Sequence, residues 1–251
     1  MSVFAIADLH LSLAPGIDKP MDIYGYRWHD HVQRLENNWR RMINTEDTVI
    51  IAGDISWALK LEDAKYDLAW VDSLPGHKVM YKGNHDLWWN GITKLNKMYD
   101  TITFVQNDCF AAEGFVVCGT RGWLTPDNED YKEADEKIYK RELMRMQSSL
   151  DSGKRYVEAL RTETVKDGNG LQDADPELIA VMHFPPVSKA ASFSGFQQMF
   201  EDYGIKHVLY GHIHGEDGFK NTIIGEYHGV TYDLISCDFL NCVPMRIERS
   251  R

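Results

Sequence analysis

The stretch Lys78-Val79-Met80-Tyr81-Lys82-Gly83-Asn84-His85-Asp86 decides how the chain is read. A short apolar run reads as a buried strand. One residue further on it meets a glycine, a carboxamide, an imidazole and a carboxylate. The same punctuation recurs four times. Val3 to Ala7 stops at Asp8-Leu9-His10, and Thr48 to Ala52 stops at Gly53-Asp54. Leu178 to Met182 stops at His183, and Val208 to Tyr210 stops at Gly211-His212-Ile213-His214. Ligand crevices in open α/β sheets form outside strand ends. Five runs with such endings therefore predict one site gathered from distant parts of the chain.

Helical patterns lie between several of these runs. Asp30 to Asn44 carries Val32, Leu35, Trp39, Met42 and Ile43 at helical spacing, and Glu62 to Ser73 carries Ala64, Leu68, Trp70 and Val71. Phe196 to Tyr203 ends at Gly204, a glycine suited to a C-terminal cap. Strand and helix alternate early, as in α/β units. Later the order changes. Phe104 to Cys118 reads as a hairpin around Glu113-Gly114, and strand-like segments follow one another from Thr222 to Glu248. A mixed sheet, or two packed sheets with outer helices, fits this order.

Thr125 to Glu177 stands apart by its charge. Tyr139, Leu143, Met146 and Leu150 form an apolar helical stripe there, and Lys137, Arg141 and Arg145 form a basic one. Lys166 to Gln172 reads as a loop. The segment is read as a helical insertion, residues 125–177, on a single domain spanning 1–251.

Composition excludes several classes. The 38 acidic and 27 basic residues give a net charge of -11, which opposes the phosphate backbone of nucleic acid. Tight nucleic-acid binding is not expected. No apolar run approaches the roughly 18 residues that span a bilayer, so no membrane partner is expected. Met1 to His10 lacks a basic region and has only a short apolar stretch, so it is not read as a signal peptide. Cys109, Cys118, Cys237 and Cys242 form no Cys-x-x-Cys pair. They are expected to be buried thiols in a reducing cytoplasm.

The strand-end side chains carry the chemistry. Neutral imidazoles, carboxylates and a carboxamide suit divalent first-row transition metals better than calcium. Asp8 and His10, like His212 and His214, are two apart and share a side of an extended strand. An isolated Asp-x-His says little, and Gly-Asp is as often a turn. The ordered set of five blocks carries the argument. His29, His31, His77, His207 and His228 fall outside it and read as surface or core residues. Tyr24, Tyr26 and Trp28 read as packing residues.

Asp8-Leu9-His10, Gly53-Asp54, Gly83-Asn84-His85-Asp86, His183 and Gly211-His212-Ile213-His214 together resemble the calcineurin-like metallophosphoesterase superfamily. The resemblance runs from Val3 to about Phe239, apart from Thr125 to Glu177. Gly53 to Ala58 and Gly119 to Trp123 resemble a bacterial subgroup of cytoplasmic predicted phosphohydrolases. The resemblance implies a four-layer α/β/β/α sandwich of two mixed sheets flanked by helices. It also implies two divalent transition-metal ions, Mn, Fe, Zn or Ni, with Mn favoured. Asp8, His10 and His214 would hold the first, and Asn84, His183 and His212 the second, with Asp54 bridging. A hydroxide between the ions would attack phosphorus in line with the leaving oxygen. His85 would contact phosphate or protonate the leaving group, and Asp86 would hydrogen-bond its ring. No nucleophilic side chain is required.

Departures from the family pattern narrow the substrate. Protein phosphatases continue the second block as Gly-Asp-x-x-Asp-Arg-Gly and place Glu after Asn-His. Here Ile55-Ser56-Trp57-Ala58 follows Asp54, and Asp86 follows His85. The expected substrate is a soluble small-molecule phosphoester, either a monoester or a diester. The alternatives are a nuclease on short nucleic acids and a non-catalytic metal-binding scaffold. Trp57, Arg121 and Trp123 are candidate substrate contacts, since arginine forks suit phosphate and indoles suit stacking. A structural ion pair is the competing reading for Arg121, and a solvated helix face for Arg141 and Arg145.

Overall fold

Alternation along buried strands builds the layers. The computed structural model describes residues 1–166, 176–188 and 194–249. Strands β1 (Val3–Ile6), β2 (Thr48–Ala52), β3 (His77–Tyr81) and β4 (Ile102–Phe104) run parallel in that order. Further strands are β5 (Cys109–Ala112), β6 (Phe115–Thr120), β7 (Glu177–Met182), β8 (His207–Tyr210), β9 (Gly225–Tyr227), β10 (Val230–Leu234) and β11 (Met245–Ile247). The first sheet has the order β11-β1-β2-β3-β4, with β11 antiparallel to β1. The second has the order β5-β6-β7-β8-β10-β9, with a parallel centre and an antiparallel strand at each edge.

Successive side chains on a strand face opposite ways. Ala5, Ile50, Val79, Val117, Ile179 and Leu209 meet in the core between the sheets. Their neighbours Phe4, Ile51 and Met80 face the other way. They pack under Leu35 and Trp39 of α1 (His31–Met42) and Leu68 and Val71 of α2 (Leu61–Asp72), with the short α3 (Ile92–Leu95) beside them. Val116, Ala180 and Val208 pack under α4 (Glu133–Lys166) and α5 (Gly195–Tyr203), with Phe219 of α6 (Gly215–Asn221) alongside. Two mixed sheets flanked by helices are thus the architecture. Among the described residues no helix is long and apolar enough to cross a membrane.

The helix ends follow local chemistry. Ser194 accepts the Gln197 N–H at 3.1 Å and starts α5. Gly204 takes the left-handed conformation at φ 67° and stops it. The expected hairpin at Glu113-Gly114 is β5–β6, but it begins at Cys109, because Phe104 belongs to the other sheet. The run around His228-Gly229 is also a hairpin, since both residues have positive φ and turn β9 into β10.

The segment read as an insertion supplies the 34-residue α4, which connects β6 to the parallel β7. Its stripe residues Tyr139, Met146 and Leu150 are buried against the second sheet. It approaches so closely at Gly153 that a Cβ there would lie 2.4 Å from the Cys118 sulfur. Apart from Lys166, the loop read over 166–172 lies outside the described residues.

Candidate metal centre

The five polar clusters converge because their strands end at one edge. Asp8, His10, Asp54 and His212 all leave their strands with positive φ, between 44° and 71°. Such backbone costs about 1–3 kcal/mol per non-glycine residue and persists only where its surroundings over-determine it. Here they do. The Asp8 N–H donates to the Gly53 carbonyl at 2.9 Å, and the His10 N–H to the Asp54 carbonyl at 3.0 Å. The next turn lies against them so tightly that a Cβ on Gly83 would sit 2.1 Å from Asp54 Oδ1.

Two groups of ligand-type atoms result: Asp8, His10 and His214, and Asp54, His183 and His212, each with its atoms within 4.8 Å of one another. Asn84 joins the second, its Oδ1 lying 2.8 Å from His183 Nε2. Asp54 Oδ2 stands between the groups, 3.3 Å from His183 Nε2 and 3.9 Å from His10 Nε2. Its other oxygen, Oδ1, accepts the His85 backbone N–H at 2.8 Å, which fixes the carboxylate.

Proton placement shows that the donors fit cations. His183 Nδ1 lies 3.0 Å from the Ala52 carbonyl, which only accepts, so the proton is assigned to Nδ1. Nε2 then faces the Asn84 and Asp54 oxygens, both acceptors. His214 repeats the arrangement, with Nδ1 2.9 Å from Asp238 Oδ1 and Nε2 3.5 Å from Asp8 Oδ1. Lone pairs facing lone pairs need positive charge between them, and a borderline divalent metal suits these nitrogen and oxygen donors.

Without ions, protons supply that charge. Burial lowers the affinity of His183 and His214 for a proton, but Asp54 and Asp8 respectively outweigh it and push them up to about 9 and about 10. Burial raises Asp8, yet His214 and His183 pull it down to about 2, and Asp54 is lowered too. His10 and His212 are held down to about 4 and about 3, by burial first. Each group thus pairs one imidazolium with one carboxylate.

The remaining expected residues divide. His85 stands at the cavity mouth, with Nε2 3.9 Å from Asp54 Oδ2. Trp57 stacks on His10 at 4.7 Å and lies 4.3 Å from the His85 ring. The expected hydrogen bond from Asp86 to the His85 ring is not formed. Asp86 is buried beneath the loop. Its Oδ1 accepts from Ile55 N, Ser56 N and Trp88 Nε1, and its Oδ2 from Asp54 N and Gly83 N. Asp86 therefore positions Asp54 and the Asn84 loop and does not touch the reacting side of the site.

Arg121 and Trp123 do not line the cavity over the two groups. The Trp123 indole N–H donates to Asp135 at 2.9 Å, and its ring packs 5.0 Å from Phe184, which in turn lies 4.0 Å from His212. The Arg121 guanidinium covers Trp123 at 4.5 Å and pairs with buried Glu142 at 3.4 Å. Arg145 pairs with the same carboxylate at 2.7 Å.

Sequence reasoning missed two contributions. Asp238 orients His214 and also accepts the Gly215 N–H at 3.1 Å. Its only local signal is that of an acid soon after a strand. Tyr24 and Trp28, read as packing residues, and Met21, not singled out, join Trp57 as the apolar wall of a cavity of about 450 Å³ over the groups. The five other histidines stay out of the two groups. His31, for example, contacts the Leu9 carbonyl at 3.1 Å, and His207 pairs with Asp233 at 2.6 Å.

Comparison with known proteins agrees with this arrangement. No curated protein matches the chain. The phosphopantetheinyl hydrolase PptH of Mycobacterium tuberculosis is similar in fold, with 15% identity, a TM-score of 0.53 and coverage of 99% of this chain and 96% of that one. A protein of unknown function from Aquifex aeolicus, AQ665, aligns with a TM-score of 0.47 at 14% identity over 98% and 95% of the two chains. A family model described as calcineurin-like phosphoesterase matches residues 1–216. That match takes in every strand-end cluster, and the chain belongs to the calcineurin-like phosphoesterase family.

Proposed function

We propose that this metallophosphoesterase hydrolyses a phosphoester of a small molecule at a pair of divalent transition-metal ions, with manganese favoured. One observation carries the reading: Asp54 Oδ2 lies between the two ligand groups while His183 Nε2 and His214 Nε2 turn their lone pairs inward. Asp8, His10 and His214 would hold one ion, and Asn84, His183 and His212 the other, with Asp54 shared. Such a pair would supply hydroxide near neutral pH and stabilise charge on the phosphoryl oxygens.

The chain's own residues do the rest. Asp238 and the Ala52 carbonyl fix the tautomers of His214 and His183. Trp57 holds the His10 ring by stacking. His85, 42% exposed and beside Asp54, would give a proton to the leaving oxygen. Met21, Tyr24, Trp28 and Trp57 offer an apolar seat for the alcohol. The fold neighbour is named for a phosphopantetheinyl substrate, but likeness at 15% identity carries the fold alone, so the alcohol is read from this cavity. Four free thiols support a reducing, cytoplasmic setting.

Turnover of p-nitrophenyl phosphate and bis-p-nitrophenyl phosphate with added Mn²⁺ tests the proposal and separates monoester from diester chemistry. Hydrolysis of at least one is expected, abolished by Asp54→Ala or His183→Ala. Unchanged turnover in both purified variants contradicts the assignment.

A further inference from the structure

A second cavity, of about 170 Å³, has a different chemistry from the first. Among the described residues Lys82, Arg121, Arg141 and Arg145 line it, and Glu142 is the one carboxylate in its wall. Three positive charges are thus left over in a chain whose net charge is -11. Glu142 is fully buried and already committed. It accepts Thr120 Oγ1 at 2.7 Å and Arg145 Nη1 at 2.7 Å, and lies 3.4 Å from Arg121 Nη2 and 3.8 Å from Arg141 Nε. It gathers three guanidinium groups and cannot neutralise them. The Arg121 Nε is buried with no hydrogen-bond partner among the described residues. Gathering like charges, one of them with a buried unpaired donor, costs stability unless an anion offsets it.

The location ties this pocket to the metal centre. Lys82 immediately precedes Gly83 and Asn84. The Arg121 carbonyl accepts the N–H groups of His183 and Phe184 at 3.1 and 2.9 Å.

We propose that the pocket of Lys82, Arg121, Arg141 and Arg145 is a subsite for a phosphate-class anion. Guanidinium forks match phosphate oxygens in pairs, and Gln106 and Asn107 add polar groups to the wall. The anion is either the second phosphate of a substrate whose first lies at the metals, or a free phosphate ion. Only the first source rests on the hydrolase reading.

Calorimetric titration of inorganic phosphate into metal-free Asp54→Ala protein tests the subsite with neither metal nor turnover, so its failure is separable from failure of the hydrolase reading. Saturable binding is expected. It should weaken by about tenfold or more when Arg141→Gln and Arg145→Gln are added. Circular dichroism checks the fold. Arg141→Gln alone, at a half-exposed position, serves if the combined variant does not fold, and is expected to weaken binding in the same direction. Absent binding, or binding indifferent to these substitutions, overturns the proposal. A second titration, on Mn-loaded protein, compares an alkyl bisphosphate with the matching monophosphate. A bisphosphate advantage that disappears in the arginine variant assigns the pocket to substrate. Phosphate binding without such an advantage assigns it to the free ion.

Discussion

Asp238 and His214 are joined at 2.9 Å between a carboxylate oxygen and the imidazole Nδ1, which leaves Nε2 pointing toward Asp8 and His10. The carboxylate fixes both the tautomer and the ring orientation. Losing such a partner typically weakens metal binding by about 10–100-fold. Asp238→Ala should show that loss in a metal titration, and Asp238→Asn, which keeps an acceptor, a smaller one. Equal affinity in all three proteins would deny Asp238 this role.

Asp86 and His85 are neighbours with separate duties. Asp86→Asn replaces an acceptor of five N–H groups and should lower stability by about 3 kcal/mol or more in denaturant unfolding. The pH dependence of remaining turnover should keep its shape. His85→Ala should keep its metal yet lose roughly 10²–10⁴ in turnover. A changed pH–rate limb in Asp86→Asn would restore the direct pairing with His85 that the structure lacks.

The limits of sequence reading show in these same residues. Strand runs and their polar endings were legible because burial on both faces demands unbroken apolar stretches, and the clusters sit where those stretches stop. That placed Asp8, His10, Asp54, Asn84, His183, His212 and His214 at one edge. The direction of the Asp86 side chain was not legible, because a loop residue can face either side of its own turn. Asp238 carries no signal beyond an acid soon after a strand; its meaning lies in a partner 24 residues away. The apolar stripe of Tyr139, Met146 and Leu150 was legible from its spacing, but that its helix leads from β6 to a parallel β7 was not, because strand pairing is non-local.

Acid–base behaviour should separate metal-free from metal-loaded protein. His183 and His214 are raised to about 9 and about 10 from an ordinary 6.5, so the folded state holds protons that the unfolded chain has released. Their contribution is complete below 6.5 and disappears as pH rises through those values. Lys78, lowered to about 8, works in the opposite direction in the same range, but stands apart from the ligand groups. Metal takes the place of the two protons. The melting-temperature gain from Mn²⁺ should therefore widen from pH 6.5 toward pH 10. A constant or narrowing gain contradicts the proton assignment.

Gly83 lacks room for even a methyl group, since its Cβ would fall 2.1 Å from Asp54 Oδ1 and 2.2 Å from Asp54 N. Gly83→Ala should cost about 1–3 kcal/mol and displace the shared carboxylate, so that both ligand groups lose metal. Gly91→Ala, whose Cβ meets nothing within 4 Å, is the control. Full metal content in Gly83→Ala would show that Asp54 does not depend on this close approach.

Counting bound ions is the sharpest test of the centre itself. Equilibrium dialysis against Mn²⁺ followed by elemental analysis should find two ions per folded chain, one for each ligand group, and a sharp loss in Asp54→Ala. A chain that binds none, or binds as many after the Asp54 carboxylate is removed, contradicts the paired-metal account.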